Sequence, residues 1–264
     1  MCIRDRDYGV WIPYTWKEQY EAVKYFSLGL ISFGLQPGDR IITVGDNNVH
    51  WIWAAAAAIL ARAAFAAVFT EFLPREIAYV VTYCTPKFAV AGDQEQVDKF
   101  LDEKLREELS CIKKIIYWDP KGLRTYRDPR VMSFDEVVEV GKKYSAEHPD
   151  VFEENIKASR PDDVVQLSWT SGTTATQPKA VEITNEMLIA NMEMVKEAWE
   201  FVQGDRFGLV APPVQFPVLM VTLLAMREGI PLFCPEIADT ARLDMREIAP
   251  TQTFGSAEFS FKML

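Results

Sequence analysis

The chain has 264 residues, of which 49% are hydrophobic, and it carries a formal net charge of −10 with a pI near 4.9. That acidity argues against nucleic acid as a partner, which would need a basic face. The length and apolar content support a substantial core, in one large domain or two small ones.

Thr15-Trp-Lys-Glu18 is a capping box. It opens a helix with Trp16, Tyr20, Val23 and Leu30 on one stripe, ending near Gly34 before Pro37-Gly38. Short apolar runs then alternate with helical ones. Strands are predicted at residues 41–44, 64–69, 88–91 and 115–118, and helices at 51–61, 76–83 and 94–109. Residues 120–161 are polar and proline-punctuated, with a second capping box, Ser133-Phe-Asp-Glu136, starting a short helix. We read them as a connecting excursion. From Val164 the alternation resumes, with strands at 180–183, 207–210 and 231–233 and helices at 185–201, 218–226 and 243–248. The expected fold class is α/β, with parallel-sheet layers covered by helices on both faces. The expected organisation is a first α/β part over 7–160, with its excursion at 120–161, and a second part over 161–264. Residues 1–6 read as a non-native leader.

Between Asp135 and Asp163, nine acidic residues face four basic ones, a pattern expected of a solvated helical surface. Four dispersed cysteines (Cys2, Cys84, Cys111, Cys234) suggest neither zinc nor a disulfide framework and fit a reducing cytoplasm. Two histidines, His50 and His148, are too few for a multi-histidine metal site, and His50 is expected to cap a helix or lie at the surface. Trp51 and Trp53 are expected in the core. The longest apolar run, residues 51–61, is too short to span a membrane, and the N-terminus lacks a secretory signal.

The segment of greatest chemical interest is Leu167-Ser-Trp-Thr-Ser-Gly-Thr-Thr-Ala-Thr-Gln-Pro-Lys-Ala-Val-Glu-Ile183. Two strand-like runs flank the hydroxyls of Thr170, Ser171, Thr173 and Thr174, with Gly172 among them and Lys179 following Pro178. Many donors, little bulk and one point charge are what a polyphosphate cradle needs. A Walker loop is excluded because no glycine precedes Lys179, and no Gly-x-Gly-x-x-Gly fingerprint occurs. A plain Ser/Thr-rich hairpin leaves the lysine unexplained.

These residues resemble the phosphate-binding signature of the adenylate-forming (AMP-binding) enzymes, Thr-Ser-Gly-Thr-Thr-Gly-x-Pro-Lys-Gly. Gly38-Asp-Arg-Ile-Ile-Thr-Val-Gly-Asp-Asn-Asn47 resembles the same family's first strand and turn, and Arg246-Glu-Ile-Ala-Pro-Thr251 is similar to the segment leading to the next sheet strand of its long-chain fatty-acid branch. Asp93-Gln-Glu-Gln-Val-Asp-Lys99, Ile116-Tyr-Trp-Asp-Pro-Lys-Gly-Leu-Arg124 and Met132-Ser-Phe-Asp-Glu136 are similar to its long-chain fatty-acid–CoA ligase branch. The resemblance implies ATP, Mg²⁺ and coenzyme A as cofactors or co-substrates and a fatty acid as the acid substrate. Thr170, Ser171, Gly172, Thr173, Thr174 and Lys179 would hold the phosphates. Gln215, within Ala211-Pro-Pro-Val-Gln-Phe216, stands where the family shapes its acid-binding wall, with loop packing as its other role.

Three departures bear on the loop. Ala175 and Ala180 replace family glycines, and four residues, not three, separate Thr174 from Lys179. A Cβ at a positive-φ site costs on the order of 1–2 kcal/mol. Either the loop bulges and still works, or nucleotide binding is weakened. Family members are much longer, so the chain is expected to be an incomplete N-terminal AMP-binding domain. On that expectation it holds no catalytic residue, lacks the C-terminal domain and does not complete acyl activation alone. The alternative is a non-catalytic lipid- or partner-binding relative with a degenerate loop. The expected location is the cytoplasm. Peripheral membrane contact is compatible with a lipid substrate, though no basic amphipathic helix supports it.

Overall fold

A computed structural model describes residues 3–170, 179–237 and 239–254. In chain order the first elements are β1 (Ile3–Asp7), β2 (Val10–Tyr14), α1 (Trp16–Ser32), β3 (Arg40–Val44), α2 (Val49–Leu60), β4 (Ala64–Val68), α3 (Pro74–Cys84), β5 (Phe88–Ala91) and α4 (Gln94–Phe100). Next come β6 (Lys114–Tyr117), β7 (Val131–Ser133), α5 (Phe134–Glu147), α6 (Val151–Lys157), β8 (Val164–Thr170) and β9 (Lys179–Thr184). The last are α7 (Asn185–Ala198), β10 (Phe207–Leu209), α8 (Phe216–Arg227), β11 (Leu232–Phe233), α9 (Ala241–Ile248) and β12 (Gln252–Phe254). The chain divides into two compact units. One comprises Met1–Tyr20, Asp46–Ile52 and Glu186–Leu264, and the other Glu21–Gly45 and Trp53–Asn185.

The second unit holds a seven-stranded sheet in the order β7-β6-β5-β3-β4-β8-β9. All its neighbours are parallel except β8 and β9, which form an antiparallel pair. Ile42, Val44, Ala89 and Ala91 share one face and pack with Ile77, Val80 and Val81 of α3 and Val97 and Phe100 of α4. Side chains of opposite parity face the other way. There Phe88 meets Phe33 edge-on at 6.5 Å, while Phe26 of α1 stacks on Phe134 of α5 at 3.9 Å. Helices therefore cover both faces, the expected α/β arrangement.

The first unit carries a five-stranded sheet, β12-β10-β11-β1-β2, parallel except for β1 with β2. Three of its strands are absent from the sequence prediction. The expected leader, residues 1–6, includes Ile3–Arg6, which begin β1 and pair with both β2 and β11. So polar a strand is tolerated where a charge has tertiary partners: Arg6 Nη1 lies 2.9 Å from Asp244 and 2.7 Å from Glu247. In β2 the proline, Pro13, is tolerated because the strand lies at a sheet edge.

Other expectations are corrected in detail. On α1, Val23 and Leu30 are buried but Trp16 and Tyr20 are exposed, so the buried stripe does not extend to the first turns. Helix α4 stops at Phe100, and Asp102 caps a separate 3₁₀ turn by accepting from the Lys104 N–H. The region 120–161 adds an edge strand, β7, and two helices. Of the nine acids between Asp135 and Asp163, Asp163 is only half-buried and the other eight are exposed. Trp51 and Trp53 are buried, as expected.

Both capping boxes form. In α5, Ser133 Oγ accepts from the Glu136 N–H at 3.2 Å and Glu136 Oε2 accepts from the Ser133 N–H at 2.7 Å. Ser133→Ala is expected to lower stability by about 1 kcal/mol, read from the urea midpoint. An unchanged midpoint would show that the cap contributes nothing.

Candidate functional site

The hydroxyl-rich segment is mounted on the β8–β9 hairpin. Its ladder runs from Gln166 opposite Ile183 through Leu167–Glu182, Ser168–Val181 and Trp169–Ala180 to Thr170 opposite Lys179. A register shift between Val164 and Gln166 marks the start of β8. Beyond the last pair lie residues 171–178. Ser171, Gly172, Thr173, Thr174 and Ala175 are therefore outside the described residues.

The ladder determines where Lys179 stands. As the first residue of β9 it sits directly opposite the backbone of Thr170, with its side chain exposed. The extra residue between Thr174 and Lys179 lies within the span 171–178, while the lysine backbone is held by the pairing. Ala180, the other glycine replacement, faces Trp169 across the ladder and packs on the core cluster. Its backbone is that of an ordinary strand.

Two contacts steady the hairpin. Near its tip, Trp169 meets Tyr83 of α3 edge-on at 5.5 Å. At its base, Arg62 donates through Nε to Asp163 Oδ2 at 2.8 Å and through Nη2 to Oδ1 at 3.1 Å. That guanidinium holds the Asp163 carboxyl below its ordinary range. The Asp163 carbonyl in turn accepts from the Asn185 N–H at 3.0 Å, joining the residue before β8 to the residue after β9.

Gln215 occupies the N-cap of α8. Its carbonyl accepts from the Val218 N–H at 3.0 Å, but its exposed side chain makes no cap bond. Upstream in the same segment, the Ala211 carbonyl accepts from Asn47 Nδ2 at 2.8 Å.

One polar group in the first unit is absent from the sequence reading. Asn48 Nδ2 donates to Asp5 Oδ2 at 2.9 Å, while Asn48 Oδ1 accepts from the His50 N–H at 2.9 Å and faces His50 Nδ1 at 2.8 Å. Asn48, not His50, is thus the cap of α2, and the imidazole is itself held by the cap. An amide that donates to Asp5 must accept at its other end, so the proton of His50 belongs on Nδ1. Burial pushes the Asp5 carboxyl up to about 7 and the His50 imidazole down to about 4. Cys234 is fully buried, and desolvation followed by the charge of Asp5 raises its thiol well above the ordinary value. The capping asparagine could have been found from Asn48-Val-His-Trp51. Nothing in sequence announces Asp5, more than forty positions upstream.

Among the described residues, no group of three or more His, Cys, Asp or Glu side chains could hold a metal ion. Nor is any helix there long and apolar enough to cross a membrane.

The model of the family described as AMP-binding enzyme matches residues 3–261. The chain belongs to the AMP-binding enzyme family. Among curated members, the chain is similar to the long-chain-fatty-acid–CoA ligase ACSBG2 of Xenopus laevis, at 27% identity over 67% of the chain and 23% of that protein. It is also similar to a 3-[(3aS,4S,7aS)-7a-methyl-1,5-dioxo-octahydro-1H-inden-4-yl]propanoyl:CoA ligase of Rhodococcus jostii. There the identity is 24% over 75% of the chain and 38% of that protein. The matched region is thus well under half the length of either relative. The fold agrees with a solved structure of a putative long-chain-fatty-acid CoA ligase from Rhodopseudomonas palustris. The TM-score is 0.75 at 18% identity, over 99% of this chain and 60% of that one.

Proposed function

We propose that this chain supplies the nucleotide-phosphate grip for ATP-dependent activation of a long-chain fatty acid. The carboxylate oxygen attacks the α-phosphorus, the α–β phosphoanhydride bond breaks, and pyrophosphate leaves. Coenzyme A then attacks the acyl carbonyl through sulfur and AMP departs. Preorganised donors around the departing pyrophosphate lower the first barrier because charge accumulates there. In this reading Lys179 neutralises that charge, and Thr170, Ser171, Thr173, Thr174 and the Gly172 N–H supply donors. Gln215 borders the acid. Magnesium accompanies ATP in such reactions, but the described residues offer it no ligand cluster, and no step is assigned to it.

The observation that carries the reading is the lysine anchored by the ladder opposite Thr170, at the mouth of a hydroxyl-studded span. Family membership supports the nucleotide. The long-chain acid rests on the sequence segments between Asp93 and Glu136, because the two relatives are named for different acids.

ATP titration of the chain by calorimetry tests the grip. Lys179→Ala is expected to weaken binding roughly tenfold to a hundredfold, the worth of one charge-assisted contact. Ala175→Gly is expected to strengthen it. Unchanged ATP affinity in the lysine variant would remove Lys179 from the site. A folded chain with no ATP affinity would favour the second reading, a non-catalytic lipid- or partner-binding relative. The observation behind that reading is the altered loop, with Ala175, Ala180 and one additional residue.

A further inference from the structure

Five strands of the seven-stranded sheet stand in the spatial order β4-β3-β5-β6-β7. The chain leaves β3 for β4 on one side, then crosses to β5 on the other and continues outward. This is a doubly wound arrangement whose direction of winding reverses between β3 and β5. Crevices of this kind, outside the carboxyl ends of the two diverging strands, are where open parallel sheets take ligands.

Here both strands end in glycine. Gly45 follows β3 and Gly92 follows β5, both are buried, and the Gly92 N–H donates to the Val44 carbonyl at 2.8 Å. The flanking strands end in bulk instead, with Phe69 after β4 and Trp118 after β6. The indole of Trp118 lies back across both glycines. A Cβ on Gly45 would sit 2.3 Å from its Cη2 and 2.5 Å from its Cζ2, and a Cβ on Gly92 would sit 3.2 Å from Cζ2. The Asp119 N–H donates to the Gly92 carbonyl at 2.9 Å, tying the chain beside Trp118 to the same turn.

We propose that this crevice is a binding site for a flat bicyclic aromatic ring, and that Trp118 fills it in cis. Two adjacent glycine-terminated strands make a slot with no side chain on its floor. Its position at the reversal of winding gives it the place of a ligand site, and its occupant has the shape of a ligand. The inference is independent of the phosphate grip, since it involves neither the hairpin nor Lys179. It also implies that this crevice is closed to exogenous rings while the indole is seated.

The test is Trp118→Gly with free indole as the probe. Indole at tenfold its dissociation constant is expected to raise the melting temperature of the variant by roughly 3 °C and to leave the wild type unmoved. A folded variant that responds to indole no more than the wild type overturns the proposal. Gly45→Ala supplies a second readout. It is expected to lower the melting temperature of the wild type and to be harmless in the Trp118→Gly background, whereas equal losses in both overturn the assignment. Should Trp118→Gly not fold, refolding Trp118→Ala with and without saturating indole decides. Recovery only with indole supports the site, and failure in both conditions overturns it.

Discussion

Gly141→Ala is expected to destabilise the protein by roughly 3 kcal/mol and to lower its melting temperature by roughly 6–12 °C. Helix propensity alone points the other way, because alanine in a helix interior gains about 1 kcal/mol over glycine. Packing decides the sign. A Cβ at Gly141 of α5 would stand 1.7 Å from the carbonyl oxygen of Tyr25 and 2.8 Å from the nitrogen of Gly29, both in α1. A Cβ at Gly29 would in turn meet the Val137 carbonyl at 2.3 Å. The obstacles are mainly backbone, so no rotamer change relieves them and the two helices must separate. That separation would also disturb the Phe26–Phe134 stack. Calorimetry of Gly141→Ala beside the exposed control Lys143→Ala checks this. A variant melting at or above the wild type would refute the close approach.

The second large effect is a pair of opposed titrations in the first unit. The Asp5 carboxyl has a folded pKa of about 7 against an ordinary 3.8, because burial disfavours its charged form. Its contribution is fully present below pH 3.8 and is lost as pH rises to 7. The loss is on the order of 4 kcal/mol as an upper limit. His50 has a folded pKa of about 4 against 6.5, again from burial. Its contribution is fully present above pH 6.5 and is lost as pH falls to 4, roughly 3 kcal/mol as an upper limit. Between pH 4 and 6.5 the two slopes oppose each other. Relative to the wild type, Asp5→Asn is expected to gain stability progressively as pH rises from 4 to 7. His50→Gln is expected to gain it as pH falls from 6.5 to 4. Urea denaturation across pH 4–8 measures both differences, and a pH-independent difference for either variant would show that its group titrates normally.

Much of the second unit was legible in the sequence. Its strands announce themselves because parallel strands buried on both faces are continuous apolar runs, and 88–91 is predicted to the residue. The capping boxes at Thr15 and Ser133 are local hydrogen-bond patterns and form as read. The first unit was less legible. The strand β1 is four-fifths charged, β2 contains Pro13, and β12 reads Gln-Thr-Phe, so none is an apolar run that would announce it. Each is a strand because a neighbouring strand completes its ladder, and Arg6 finds carboxylates on α9 more than two hundred residues away.

The site divides along the same line. Sequence offers the proposed donors and lysine because phosphate chemistry demands residue types in a run, and a run is local. It also identifies the strands on either side. The register that seats Lys179 opposite Thr170, the contacts that steady the hairpin, the Asp5–Asn48–His50 chain and the indole across Gly45 and Gly92 were decided only by the tertiary structure. Each depends on groups from distant segments meeting at ångström tolerance. Hydrophobic periodicity and capping record what a residue does with its neighbours in the chain. They carry no record of which backbone will lie across from it.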